Sequence, residues 1–73
     1  MKTKNTLKRL PVNESVRVVE TLGGSAEVGR ICGVSLSAVS QWKSNGIPRA
    51  QFLFLRERFK NLPIMKERAL LDF

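Results

Sequence analysis

Hydroxyl and carboxamide side chains recur at helical spacing between residues 35 and 44. They belong to Ser35, Ser37, Ser40, Gln41 and Ser44. These groups donate and accept hydrogen bonds without titrating near neutral pH, so they suit recognition of a polar surface rather than proton transfer. A glutamine can bond to adenine N6 and N7 together in the major groove of DNA, whereas a serine discriminates less. The spacing therefore indicates a helix face that could read base edges.

Catalysis and metal binding find no support in the composition. The chain has no histidine, no tyrosine and a single cysteine, Cys32. Without a histidine to activate it, Cys32 is expected to be a buried small apolar residue, and it cannot form an internal disulfide. The remaining carboxylates do not provide a zinc ligand set or a paired nucleophile and base. We therefore expect no enzyme, no cofactor and no metal ion.

The charge balance points to a polyanionic partner. The 73 residues carry a formal net charge of +7, which is typical of proteins that bind DNA, RNA or anionic membranes. Seven of the 13 basic residues form two groups, which are Lys2, Lys4, Lys8 and Arg9, and then Arg56, Arg58 and Lys60. RNA is the weaker alternative because interleaved aromatic residues are missing. A membrane-surface role would need an aromatic or leucine face beside the basic arm.

Targeting signals are not evident in this sequence. No stretch approaches the roughly 20 apolar residues of a membrane span, and no apolar segment follows the basic N-terminus as it would in a signal peptide. An unpaired cysteine is ordinary in a reducing compartment. We expect a cytoplasmic protein in a bacterial host, associated with the nucleoid.

Prolines, glycines and capping residues divide the chain into short helices. Residues 1–10 are polar and basic, and we predict a flexible arm there. Pro11 then either occupies the first turn of a helix itself or, if Asn13 is the cap, precedes a helix that begins at Glu14. The following residues recur at helical spacing: Val12, Val16, Val19 and Leu22. A strand through the valines is the alternative, but a left-handed Gly23 after Leu22 favours a helix end.

Residues 25–45 have the pattern of a helix-turn-helix. Ser25 is a good cap for a helix that ends at Cys32, Gly33 suits a left-handed turn, and Ser35 caps a helix from Leu36 to Asn45. Gly29 is the small residue expected where the two helices approach. The apolar residues expected to fill the wedge between the helices are Val28, Ile31, Cys32, Val34, Val39 and Trp42.

The C-terminal part is predicted to complete an all-α domain over residues 11–73. Gly46 would end the third helix in a left-handed conformation, with Ile47 against Trp42 in a Schellman motif. A fourth helix runs from Pro48 to about Asn61, and a short fifth helix or a strand at 69–73 follows Pro63. Because the apolar residues exceed one stripe, residues 48–73 should provide core and dimer contacts, with the interface at Phe54, Leu55, Phe59 and Met65.

The motif carries a family resemblance. Gly33-Val34-Ser35-x-Ser37-Ala38-Val39-Ser40-Gln41-Trp42 followed by Gly46-Ile47-Pro48 resembles the phage Cro and YdaS-type repressors, closely over 25–48 and loosely over 13–60. The resemblance implies a four- or five-helix, lambda-repressor-like domain that binds a near-palindromic operator as a homodimer. In some members the C-terminal part is a β-hairpin. By position, it implies base contacts from Ser35, Leu36, Ser37, Ser40, Gln41 and Ser44.

Phosphate contacts and one apolar base contact complete the expected site. Backbone amides at the start of the Ser25 helix should hold phosphate, and the side chains expected to do so are Lys43, Arg49, Lys8 and Arg9. Leu36 replaces the polar residue that is commoner in the family, and it would either meet a thymine methyl group or fold back onto the core. The predicted function is a sequence-specific regulator of transcription, and the alternative is an antitoxin-type protein-interaction module with the same fold.

Overall fold

Five short α-helices and one 3-10 helix follow one another within residues 8–71. The computed structural model describes residues 8–71 and 73. The elements are α1 Val12–Thr21, α2 Ser25–Cys32, α3 Leu36–Asn45, α4 Arg49–Arg58, a 3-10 helix Pro63–Lys66 and α5 Arg68–Leu71. The predicted all-α fold is confirmed, and the strand alternatives in the first helix and after Pro63 are wrong.

The first helix buries only part of the face that its apolar spacing predicted, with Val19 and Leu22 in the core as expected. Pro11 lies at the N-cap and α1 begins at Val12, so the start at Glu14 is wrong. Val12 is exposed, whereas Ser15 is fully buried beside the apolar residues of α1. The Ser15 hydroxyl donates to the Leu10 carbonyl at 3.2 Å and accepts from the Ile47 amide at 2.9 Å. These two bonds satisfy the buried hydroxyl, so a polar side chain takes a core position that the spacing of the valines did not indicate.

Residues 8–10 pack against the connection between α3 and α4. The Leu10 amide donates to the Ile47 carbonyl at 2.9 Å, and the Arg49 amide donates to the Lys8 carbonyl at 3.0 Å. Leu10 itself is buried in the core. The prediction of a flexible arm is therefore wrong for residues 8–10, because an apolar side chain and two backbone hydrogen bonds hold them in place. Residues 1–7, with Lys2 and Lys4, lie outside the described residues.

Gly46 ends α3 by a different route from the predicted Schellman motif. Its φ of +99° is positive as expected, but its ψ of 147° is extended. The Ile47 amide consequently bonds to Ser15 instead of turning back to the helix. A Cβ at Gly46 would lie 2.3 Å from the Leu10 carbonyl oxygen. Glycine is thus required both for the positive φ and for the close approach of residues 8–10.

Every described helix contributes residues to one hydrophobic core, as do some of the residues that connect the helices. Its buried apolar members are Leu10, Val18, Val19, Leu22, Val28, Val39, Trp42, Ile47, Phe52, Leu55, Ile64, Met65 and Leu70. Helix α4 begins at Arg49 and ends at Arg58, so it is shorter at both ends than predicted. The 3-10 helix that follows α4 places Ile64 and Met65 in the core.

Two of the four predicted dimer-interface residues are core residues. Leu55 and Met65 are buried within this single chain, so the prediction that they meet a second subunit is wrong. Their burial follows from the docking of α4 and the 3-10 helix on the same core. Phe59 is partly buried against that core, and Phe54 is exposed.

Candidate nucleic-acid interface

Helices α2 and α3 form a helix-turn-helix unit around a glycine-containing turn. Gly33 has the predicted left-handed conformation, with φ +73° and ψ +31°, and the Val34 amide donates to the Gly29 carbonyl at 2.9 Å. A Cβ at Gly29 would lie 2.9 Å from the Val34 carbonyl oxygen. Gly29 therefore leaves room for the turn backbone, which is a more specific role than the helix approach expected from the sequence.

The capping residues of the unit were predicted with partial success. The Ser35 hydroxyl accepts a hydrogen bond from the Ala38 amide at 3.1 Å, which confirms it as the N-cap of α3. Gly24 takes the N-cap position of α2, and Ser25 is the first helical residue instead of the predicted cap. The positive φ of Gly24, +97°, explains the shift, because the sharp turn after α1 needs a second glycine there.

The inner side of α3 is fixed by packing. Val39 and Trp42 are buried, and α3 contacts both α1 and α2. Val28 is buried below them, while Ile31, Cys32 and Val34 are partly buried against the same core. Burial raises the pKa of the Cys32 thiol above its ordinary value, because a thiolate is disfavoured away from water. The predicted wedge is confirmed, and it determines which side of α3 faces outward.

All six predicted base-reading residues lie on the outward side of α3 or at its cap. The exposed set is Ser35, Leu36, Ser37, Ser40, Gln41 and Ser44. At about 100° per residue, the helical members span roughly 140° of the circumference. The helix contains no acidic residue. The structure thus brings the predicted set together on an open, polar face without negative charge.

Lys43 lies beside this face and is already paired. Its ammonium Nζ is 2.7 Å from Oε2 of Glu20, a residue of α1. The lysine side chain is 33% exposed and the glutamate side chain is 58% exposed. Glu20 was not among the residues predicted for the site, because it lies 23 positions before Lys43 in the sequence. A phosphate near Lys43 would have to compete with Glu20.

The other cations predicted to contact phosphate meet around the connection between α3 and α4. Arg9 Nη1 donates to the Gly46 carbonyl at 2.9 Å, and Arg49 Nη1 donates to the Phe73 backbone oxygen at 2.6 Å. Lys8 Nζ lies 5.1 Å and Arg49 Cζ lies 5.7 Å from the centroid of the Phe73 ring. Lys8, Arg9 and Arg49 are therefore neighbours, and none of them pairs with an acidic side chain of the described residues.

Phe73 is a member of this cluster that the sequence did not indicate. Its ring packs edge-on against Phe52, with 5.5 Å between the ring centroids. Its backbone oxygen and its ring face meet the cations described above. Nothing in the local sequence around Phe73 predicts its contacts with Lys8 and Arg49, which are far away along the chain.

The charges of the described residues leave an excess of unpaired cations. All five acidic residues in the described part of the chain form ion pairs, and they are Glu14, Glu20, Glu27, Glu57 and Glu67. Six basic residues there make no ion pair with any of these carboxylate side chains: Lys8, Arg9, Arg49, Arg56, Arg58 and Lys66. An anion would therefore meet an attractive surface potential.

One ion pair links distant parts of the fold. Arg17 lies in α1, and Glu67 lies just before α5. The Arg17 nitrogens Nη1 and Nη2 donate to the two carboxylate oxygens of Glu67 at 2.9 and 2.8 Å. The hydrogen bonds lower the pKa of Glu67 below its ordinary value. They raise the pKa of Arg17 above its ordinary value. This pair holds the C-terminal segment against α1 and takes no part in the outward face of α3.

Comparison of the chain with protein-family models, with curated proteins and with solved structures gave no significant match. The likeness to Cro and YdaS-type repressors therefore depends on the motif residues alone. None of the helices in the described ranges is long and apolar enough to cross a membrane. Across the same residues, no group of three His, Cys, Asp or Glu side chains could hold a metal ion.

Proposed function

We propose that this chain is a sequence-specific, double-stranded DNA-binding regulator of transcription, a Cro-like repressor of phage or prophage genes. The observation that carries the proposal is the division of α3 into a buried apolar side, with Val39 and Trp42, and an exposed polar side without an acidic residue. A helix held rigidly from below and polar above is what entry into a major groove requires.

In the proposed complex, α3 lies in the major groove and its exposed side chains meet base edges. Gln41 bonds to an adenine through both atoms of its amide group, and Ser37, Ser40 and Ser44 make less selective bonds. The Ser35 hydroxyl is engaged as the cap of α3, so its role at the DNA is to accept a further bond or to contact phosphate.

The cations position the protein along the DNA backbone without reading sequence. Lys8, Arg9 and Arg49 lie together beyond the C-terminal end of α3, where they can contact one strand. The amides in the first turn of α2, from Ser25 onward, have no partner within that helix and can hold a second phosphate. Lys43 exchanges Glu20 for a phosphate on binding, so its contribution is reduced by the loss of that ion pair.

The proposed repressor acts as a homodimer in the cytoplasm of a bacterial host. A two-fold symmetric dimer places two copies of α3 about one DNA turn apart, roughly 34 Å, on a near-palindromic operator. Of the predicted interface residues, Phe54 offers an exposed ring, and Phe59 contributes only the part that the core leaves open. Occupation of a promoter by this dimer would block transcription.

Selection from a random duplex library tests the proposal. The purified full chain should enrich a short motif with two half-sites related by a dyad. A triple variant, Ser37→Ala with Ser40→Ala and Gln41→Ala, keeps the buried side of α3 and serves as the matched control. It should lose the enrichment while remaining helical by circular dichroism. A wild-type pool without an enriched motif would contradict the proposed function, and co-purification of a protein partner would then favour an antitoxin-type module.

A further inference from the structure

Leu36 is the most exposed large apolar side chain in the described part of the chain. Its exposed fraction is 57%, compared with 53% for Leu71, 46% for Phe54 and 43% for Val12. The sequence left two alternatives for this residue, contact with DNA or return to the core. The exposure excludes the second alternative, because Leu36 does not pack among the core residues.

The surroundings of Leu36 are unlike those of an apolar docking surface. It occupies the first turn of α3, and its neighbours along the outward face are the hydroxyls of Ser35, Ser37 and Ser40. The other exposed apolar residues belong to α1, α4 and α5. A single leucine among hydroxyls can cover a group of about the size of a methyl, whereas protein interfaces need an extended patch.

The major groove of DNA presents one apolar group of this size, the C5-methyl of thymine. The neighbouring serines can meet the polar base edges beside it, and the acid-free α3 accepts the approach of phosphates. Leu36 precedes Gln41 by five residues, which is about 7.5 Å along the helix axis. At about 100° per residue the two side chains also lie at opposite edges of the outward face, so they meet different base pairs.

We propose that Leu36 is a specificity-determining residue that reads the methyl group of a thymine, at a base pair different from the one whose adenine is read by Gln41. This inference rests on the proposed function, since it requires α3 to enter the major groove. It assigns one apolar contact to the outward face of α3, whose other exposed side chains form hydrogen bonds. The methyl group gains an apolar neighbour, and the exposed leucine loses contact with water.

Replacement of thymine by deoxyuridine tests the contact without altering the protein. Deoxyuridine lacks only the methyl group and keeps the O4 acceptor and the pairing with adenine. The duplex used is the one that the chain prefers in the library selection, with a single thymine of one half-site replaced at a time. Wild type, Leu36→Ala and the neighbouring control Ser37→Ala are titrated against each duplex.

We expect the wild-type Kd to rise about three- to tenfold at one thymine position, the range for loss of one apolar methyl contact. Leu36→Ala should bind the thymine and deoxyuridine duplexes equally, while Ser37→Ala should still distinguish them. Equal wild-type binding to every substituted duplex, or a preferred site without thymine, would overturn the inference. The proposed function would remain intact if the preferred duplex still binds more tightly than random DNA. Loss of that preference as well would overturn both.

Discussion

The Ser15 hydroxyl accepts a hydrogen bond from the amide of Ile47 at 2.9 Å, across 32 positions of sequence. The same hydroxyl donates to the Leu10 carbonyl. One buried side chain therefore connects α1, residues 8–10 and the connection between α3 and α4. Arg9 is next to Leu10, and Arg49 lies two residues after Ile47. Ser15 therefore also helps to determine where these proposed phosphate-binding cations lie.

Ser15→Ala should lower the free energy of unfolding by about 1–3 kcal/mol, because the Ile47 amide would be left buried without a partner. Urea denaturation followed by circular dichroism measures the change. Ser44→Ala, at an exposed position in α3, is the matched control and should have little effect. Equal stability of the two variants would show that the Ser15 bonds contribute nothing to the fold.

Gly46→Ala should destabilise the domain more than Gly24→Ala. The two glycines have nearly the same φ, +99° and +97°, so the conformational strain of an alanine is similar at both. A Cβ at Gly46 would meet the Leu10 carbonyl oxygen, whereas nothing lies within 4 Å of one at Gly24. The extra loss at Gly46 should be about 1–3 kcal/mol. If urea denaturation gives equal losses, residues 8–10 do not approach Gly46 as described.

Glu67→Gln should remove a part of the stability that depends on pH. Pairing with Arg17 lowers the pKa of Glu67 in the folded protein, so the contribution is complete above the ordinary pKa of about 4.3 and is lost as the pH falls through the lower, folded value. The difference in unfolding free energy between wild type and variant should therefore shrink from pH 6 to pH 3.

The control for this prediction is Glu57→Gln, whose partner Lys60 is only three residues away. It breaks a local ion pair that does not join separate parts of the fold, and it should cost less stability at pH 6. A wild-type advantage over Glu67→Gln that stays constant down to pH 3 would contradict a stabilising role for the ionised Glu67.

Lys43 and Glu20 should affect DNA binding in opposite directions. Lys43→Ala removes a phosphate contact, so it should weaken binding to every duplex and reduce the slope of log K against log salt by about one unit. Glu20→Gln frees Lys43 from its ion pair and should strengthen binding to every duplex. Titrations at several salt concentrations measure both effects. An unchanged slope in Lys43→Ala would exclude the phosphate contact.

Local chemistry explains why the helix-turn-helix was predictable. Gly33 and Ser35 fix the turn through their own backbone and side-chain preferences, and the structure confirms both. The outward position of Ser40 and Gln41 followed in the same way from the helical period and the apolar Val39. These features depend on neighbours within a few residues, so a pattern in the sequence is sufficient to reveal them.

Long-range contacts explain the errors. Nothing in the local pattern marks Ser15 as buried, because its partner Ile47 is 32 positions away along the chain. The extended Gly46 follows from the approach of Leu10, and the position of Arg49 follows from Phe73, 24 residues away. Leu55 and Met65 were placed at an interface because their helical period indicates an apolar face and does not say whether the chain itself covers it.

The central claim is that this chain recognises a DNA sequence through α3. Its most direct test is a titration of fluorescent duplex from the region upstream of the gene, against random duplex of equal length, at about 50 and 200 mM salt. Wild type should bind the upstream duplex at least about a thousandfold more tightly. Gln41→Ala should lose about 1–3 kcal/mol of that preference while binding random duplex unchanged. Equal, salt-sensitive binding of wild type to both duplexes would contradict the claim.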